Sequence, residues 1–237
     1  MFRALVASVA LSACGFAPAE IPSSDGATDA QLIGAGSDAR SPDGAPVTGA
    51  LVVTRQIVSG PIDLTAEGTS DWAEWGATTM TEFNHKATGG TQIANWTRIG
   101  TATVYGYGNG YNQPGNDGFT WSDGAPLAVE STAQYSGVWI NNPPNGFSTM
   151  APASRTTRTL RVYVGGANAT GTFTARLSDG SVADYVDVAG IGSASQGWAG
   201  CYKLVYNSAN DGATIEVSWV QQSTSGGDVN WSAASLQ

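Results

Sequence analysis

Residues 51–237 predict an all-β domain, an antiparallel β-sandwich, and three observations predict it. Apolar and polar residues alternate with period two in several separate runs. Leu160, Val162 and Val164 alternate with Thr159, Arg161 and Tyr163; Phe173, Ala175 and Leu177 alternate with Thr172, Thr174 and Arg176. A strand with one face in a core and one in water needs this pattern. Charged residues make up only 12% of the chain and hydrophobic ones 41%, with 31 glycines and abundant Thr and Ser. That composition suits many strands joined by tight turns over a real core. Finally, no run sustains helical periodicity, and no internal repeat is visible.

The elements follow in chain order. Residues 1–13 read as a signal peptide: Arg3 supplies a positive start, and an apolar stretch too short for a permanent span follows. It ends in Leu11-Ser12-Ala13-Cys14, which resembles the lipobox of bacterial lipoproteins. The resemblance implies cleavage before Cys14, a diacylglyceryl thioether on its sulfur and an acylated amino group carrying a palmitate-like chain. Two or three chains give stable membrane anchoring. Gly15 follows directly, which by the same analogy implies the outer membrane of a bacterial cell envelope. Residues 14–50 read as a disordered tether of Ala, Gly, Ser, Asp and Pro. They carry Glu20, Asp25, Asp29, Asp38 and Asp43 against Arg40. Such a segment cannot bury enough surface to offset its ordering entropy, and as a random coil it reaches about 35 Å.

Within the domain, residues 51–58 predict a first strand, and 71–76 a turn or one helical turn. Residues 82–87 lead to a Gly89-Gly90 turn, with strand pieces at 92–96 and 100–105. Residues 105–118, YGYGNGYNQPGNDG, predict a long loop, since Gly, Pro and Asn forbid regular structure there. Strands are expected at 119–121, then at 137–140 and 146–150 on either side of an exposed NNPPNG turn. Residues 157–181 predict a hairpin with Gly165, Gly166 and Gly171 at its turn. The remaining strands are expected at 198–206, at 214–219 with Ile215, Val217 and Trp219 inward, and at 229–236.

The order IDLTAEGTSDWAEWG, FNHKA, GFTWSDG, TRTLRVYVGG, TFTARLSDGS, CYKLVYNSANDGATIEVSW and VNWSAASL resembles a bacterial exported β-sandwich module. It is similar to jelly-roll modules of the galactose-binding-like kind, which are appended to glycan-active and adhesion-like surface proteins. The resemblance implies a jelly-roll fold and a recognition role. It also implies a structural calcium in a loop, for which Asp117 with Asp123, or Asp184 with Asp187, are candidates.

Chemistry is sparse. His85 is the one histidine and sits in a polar turn-like segment; HExxH, paired CxxC, GxSxG and phosphate-loop motifs are absent. Asp71 with Glu74, and Asp184 with Asp187, are close in sequence, but spacing says little about facing across a cleft. Capping is the expected role of Asp71, and a solvated strand edge that of the other pair. With Cys14 lipidated, Cys201 is expected as a buried free thiol. Trp72, Trp75 and Trp96 are expected as packing residues and Trp219 as core. Arg155, Arg158, Arg161 and Arg176 read as a basic edge paired with acids, with an anionic-glycan patch as the alternative.

Ligand binding rests on Tyr105, Tyr107 and Tyr111, which share one loop with Asn109, Asn112, Gln113 and Asn116. Rigid aromatics offer faces for sugar C–H groups, and amides offer partners for hydroxyls. The same tyrosines could instead pack back onto the sandwich. The net charge of −9 argues against nucleic acid as a partner. The expected protein is thus a monomeric, membrane-anchored, non-catalytic recognition module with a glycan ligand. Two alternatives are a structural or adhesion protein meeting another protein, and a hydrolase using His85.

Overall fold

The computed structural model describes residues 48–106, 118–188 and 198–237. In chain order the elements are β1 Ala50–Gln56, β2 Ile62–Asp63, α1 Leu64–Glu67, β3 Asp71–Trp75, β4 Phe83–Lys86, β5 Thr97–Ile99, β6 Val104–Gly106 and β7 Phe119–Trp121. Then come β8 Gly124–Ala125, β9 Glu130–Gln134, β10 Val138–Asn141, β11 Gly146–Ala153, β12 Arg158–Leu177, β13 Tyr185–Asp187, β14 Trp198–Asn207 and β15 Ala213–Leu236. The domain is all-β, as expected. No helix among the described residues is long and apolar enough to cross a membrane.

Two long strands replace elements expected to be separate. The hairpin expected over 157–181 does not form: β12 runs through as one strand of 20 residues. Gly165 and Gly166 pair with Ala199 and Trp198 of β14 on one side, and with Asn230 and Val229 of β15 on the other. A backbone engaged along both edges has no groups left with which to close a turn. Likewise 214–219 and 229–236 are the two ends of one 24-residue strand, β15. β12 and β15 pair antiparallel from Leu160↔Leu236 to Leu177↔Ile215.

The glycines serve the middle of this ribbon. Its register shifts at Tyr163/Val164, at Ala167/Ala169 and at Thr170/Gly171. Irregularities of this kind bend a strand and raise its twist. Asn168, the residue skipped at the second, takes a left-handed φ of 47°. At Gly171 a Cβ would come within 2.4 Å of the Trp219 indole, so the ring lies where a side chain would be. The indole Nε1 donates to the Gly165 carbonyl at 3.1 Å.

On either side of the bend the ribbon collects other strands. β14 pairs along residues 158–166 of β12 and carries β1 on its far edge; β13 pairs along 173–175. The free edge of β15 takes β11 along 213–220, β10 along 228–231 and β3 along 233–236. β5 extends β11, β6 extends β10, and β4 then β8 extend β3. The pairing is antiparallel except between β2 and β7, which with β9 form a small second sheet.

The bend turns the large sheet onto itself. Phe173, from the far half of β12, stacks on Tyr202 of β14 at 3.8 Å and 7°. Tyr202 itself pairs with Val162 in the near half. The core between the halves takes the inward residues expected from sequence: Leu160, Val162, Val164, Phe173, Ala175, Leu177, Ile215, Val217 and Trp219. The other face of the near half is not wet. Tyr163, expected outward, packs with Leu64, Trp72, Phe119, Trp121 and Cys201 beneath α1 and the small sheet. The layers therefore come from one doubled sheet plus a small cover.

β3 is buried at all five positions and carries two carboxylates. Residues 71 and 74 are an odd number apart, so they face opposite sides of the strand and cannot flank one bond. Asp71 accepts from the backbone N–H of Trp72, Gln92 and Ile93 at 2.8, 2.6 and 2.7 Å, thereby fixing the segment after the Gly89-Gly90 turn. Burial raises its carboxyl above the usual range despite those bonds. Glu74 accepts from Asn84 Nδ2 at 2.8 Å, with Ser136 beside it. Burial pushes its carboxyl up to about 7, and the Glu82 and Glu130 charges add to the shift.

Two outcomes are expected. Gly171→Ala should drive a methyl into the Trp219 ring and lower stability by about 1–3 kcal/mol in denaturant unfolding; an unchanged midpoint would show that the ring has room to move. For Glu74, the folded carboxyl holds its proton more tightly than the unfolded one, whose ordinary value is 4.5. Its contribution is therefore fully present below about pH 4.5 and lost as pH rises through about 7. The isosteric Glu74→Gln should lack this loss and gain on the parent, on the order of 3 kcal/mol, between about pH 5 and about pH 8. Parallel stability–pH curves for the two proteins would contradict the assignment.

Candidate functional site

The candidate site is built on β5 and β6, the outermost strands beside β11 and β10. β10 alternates strictly, with Val138 and Ile140 buried in the core and Trp139 and Asn141 turned out. Trp139 is the register partner of Tyr105 on β6. The two rings stack at 4.3 Å and 19°. Tyr105 remains 42% exposed, so an aromatic surface reaches solvent.

Separate from this platform, an open groove of about 430 Å³ is lined by Met80, Thr81, Trp96, Arg98, Thr103 and Val104. Val104 and Tyr105 are successive residues of β6, so the groove and the stack belong to opposite faces of that strand. Trp96 and Arg98 are two residues apart around the start of β5. Trp96 is held edge-on against Phe147 at 5.5 Å and 87°. Arg98 is exposed, and its Nη1 donates to the Ala102 carbonyl at 3.1 Å.

Three local devices fix the groove walls. Asn145 is buried, and its Oδ1 accepts from the N–H of Thr101 and Ala102 at 2.9 and 3.2 Å. Its Nδ2 donates to the carbonyls of Asn141 and Asn142. One amide thus ties the β5–β6 connection to the β10–β11 turn. Gly100 sits there with a φ of +83°, where a Cβ would meet Asn145 Oδ1 at 2.1 Å. The wall carrying Met80 is the turn before β4, in which Glu82 Oε2 accepts from the N–H of Thr78 and Thr79 at 2.7 and 3.3 Å. Its backbone packs so closely on Gly106 that a Cβ there would lie 2.8 Å from Met80 N.

Of the loop residues expected to bind ligand, Tyr105 is placed on this platform. Tyr107, Asn109, Tyr111, Asn112, Gln113 and Asn116 lie outside the described residues, as do Asp117 and the lipidation residue Cys14. Trp139, Trp96 and Arg98 were not expected as site residues. Trp139 carries a readable signal, since it stands out of phase with Val138 and Ile140 in the run GVWIN. Nothing in the sequence brings Trp96 and Arg98 to Val104 and Met80, because the pairing that does so is long-range.

The expected calcium ligand Asp123 is engaged otherwise. Its Oδ1 accepts from Thr65 Oγ1 at 2.7 Å and Trp72 Nε1 at 2.9 Å, and its Oδ2 meets Lys86 Nζ at 2.5 Å. Burial raises its carboxyl, but the bonds from Lys86, Thr65 and Trp72 outweigh that and hold it below the usual range. The ammonium stands where a cation would, and no cluster of three metal-ligating side chains occurs among the described residues. Asp184 and Asp187 pair instead with Arg176 at 3.9 Å and Arg55 at 3.4 Å, and Tyr202 OH also donates to Asp187.

The other reactive side chains serve packing. His85 lies against Phe83 at 5.2 Å, with Nδ1 3.0 Å from the Lys86 carbonyl and 3.4 Å from Thr91 Oγ1. Cys201 is a buried free thiol, as expected. Burial pushes it up to about 12, and the Glu67 charge adds to the rise, so it stays protonated near neutrality. It borders a cleft of about 250 Å³ with Glu67, Arg161 and Tyr163. There Glu67 is already engaged by Tyr163 OH, Ser235 Oγ and Arg161. Arg158, expected among acid-paired arginines, instead meets the Gln92 amide oxygen at 3.3 Å.

No protein family matches this chain, and no curated protein matches it. A solved structure with some likeness is the enzymatically active domain of tailspike protein 4 of bacteriophage CBA120. Its identity is 13% and its TM-score 0.34, covering 62% of this chain and 20% of that one, a likeness too slight to carry a functional argument.

Proposed function

We propose that the protein is a membrane-tethered recognition module that binds carbohydrate without catalysing its conversion. The observation that carries this reading is the exposed Tyr105–Trp139 stack, and a groove lined by a second fixed indole, Trp96, adds a further aromatic surface on the other face of β6. Stacked rings give a flat apolar surface at little entropic cost, which suits the C–H face of a pyranose. Trp139 covers one side of Tyr105 and stiffens it before any ligand arrives. The sequence after Tyr105 adds tyrosines and amides, residue types suited to sugar hydroxyls. The lipobox-like run ending at Cys14 and the acidic segment after it support presentation of this module from a cell-envelope membrane.

Glycan-array screening followed by titration tests the binding reading. Tyr105→Ala and Trp139→Ala are each expected to weaken the bound glycan about tenfold, the scale of one lost aromatic contact. Unchanged affinity in both variants, or an array with no bound glycan, would reject it. Anchoring is tested separately by metabolic labelling with palmitate in a bacterial host. Label is expected on the parent and absent from Cys14→Ser, which should leave the membrane fraction; an unlabelled parent would refute the lipid anchor.

A further inference from the structure

We infer that the groove selects an anionic saccharide, one whose sugar carries a carboxylate, and that Arg98 reads that charge. The inference rests on the carbohydrate reading and narrows its ligand class. The chain has 19 acidic residues against 10 Lys and Arg, so its cations are scarce. Arg55, Lys86, Arg161 and Arg176 each pair with a carboxylate. Arg98 has no carboxylate partner among the described residues, and it lines the groove. Arg155, Arg158 and Lys203 also lack one, but they do not line this groove.

Geometry makes Arg98 more than a stray surface charge. The Ala102 carbonyl holds one guanidinium nitrogen, which limits the swing of the side chain while leaving other N–H groups to donate. Asn145 in turn fixes that carbonyl's own residue by accepting from Ala102 N. A planar fork held this way matches a carboxylate in two-pronged fashion. Trp96 precedes it by two residues, so both side chains leave the same side of the chain about 7 Å apart. A uronate ring lying on Trp96 directs its carboxylate along the groove toward Arg98. Thr81 and Thr103 supply hydroxyls on the same walls, and Met80 and Val104 give the ring an apolar rest.

The experiment is calorimetric titration of the full chain with trisaccharides of galacturonate, glucuronate and mannuronate, each beside its methyl ester. The ester keeps the ring and removes the charge. At least one acid should bind about 10- to 100-fold tighter than its ester, the range for hydrogen bonds to a charged group. Arg98→Gln should erase that difference, Arg98→Lys should restore part of it, and unfolding midpoints should show all three proteins folded. Acid and ester binding equally, or an undiminished preference in Arg98→Gln, would overturn the inference and leave the Tyr105–Trp139 reading standing. Binding of neutral array glycans with no uronate bound would do the same. If neither acids nor neutral glycans bind, both readings fall together.

Discussion

The doubling of the β12–β15 ribbon is the constraint on which the rest of the structure depends. Its seal is the stack of Phe173 on Tyr202, which joins opposite halves of one sheet at ring-contact distance. Tyr202 also lies 6.1 Å from Trp219, whose ring occupies the space above Gly171 and whose N–H reaches Gly165. The bend and the core thus require each other. The glycines allow the indole to lie against the backbone, and the indole fills the space that the bend encloses. Truncating a fully buried aromatic of this kind costs about 3–5 kcal/mol, a large part of a domain's net stability.

Alternation made the faces of these strands legible, and the inward residues of β12 and β15 are the ones the pattern names. Continuity was not legible. Gly165, Gly166 and Gly171 look alike whether they close a hairpin or admit a neighbouring ring, and a local pattern cannot tell turn from close approach. Tyr163 was misplaced for a related reason. A strand covered on both faces loses the polar half of its alternation only in part, and a tyrosine hydroxyl that donates to Glu67 looks polar in sequence. In the site, Tyr105 was readable because it opens an aromatic loop. Arg98 was not, since its meaning comes from which acids fail to reach it.

Buried and half-buried polar groups act as ties between pieces with little regular structure. Asp71 gathers the segment before β5, Asn145 joins two turns, and Asp123 binds α1, β3 and β4 through Thr65, Trp72 and Lys86. A buried polar group left without partners costs about 1–3 kcal/mol, so each tie is favourable only in the native arrangement and penalises alternatives. Glu74 behaves differently. One of its carboxyl oxygens is buried without a hydrogen-bond partner, and two further carboxylates lie near enough to raise it. Its proton is thereby part of the fold at moderately acidic pH.

The same bend that makes the core also makes the groove. β10 and β11 add to one edge of β15 on either side of its irregular middle, and each carries a short outer strand. In a flat sheet β5 and β6 would lie far apart along that edge. Because the ribbon doubles over, they approach with a groove between them that neither strand could form alone. Its floor is continuous with the core through Val104 and the Trp96–Phe147 contact, while Arg98 remains in solvent. Recognition residues on such a foundation keep their spacing when a ligand arrives, so little binding energy goes into ordering them.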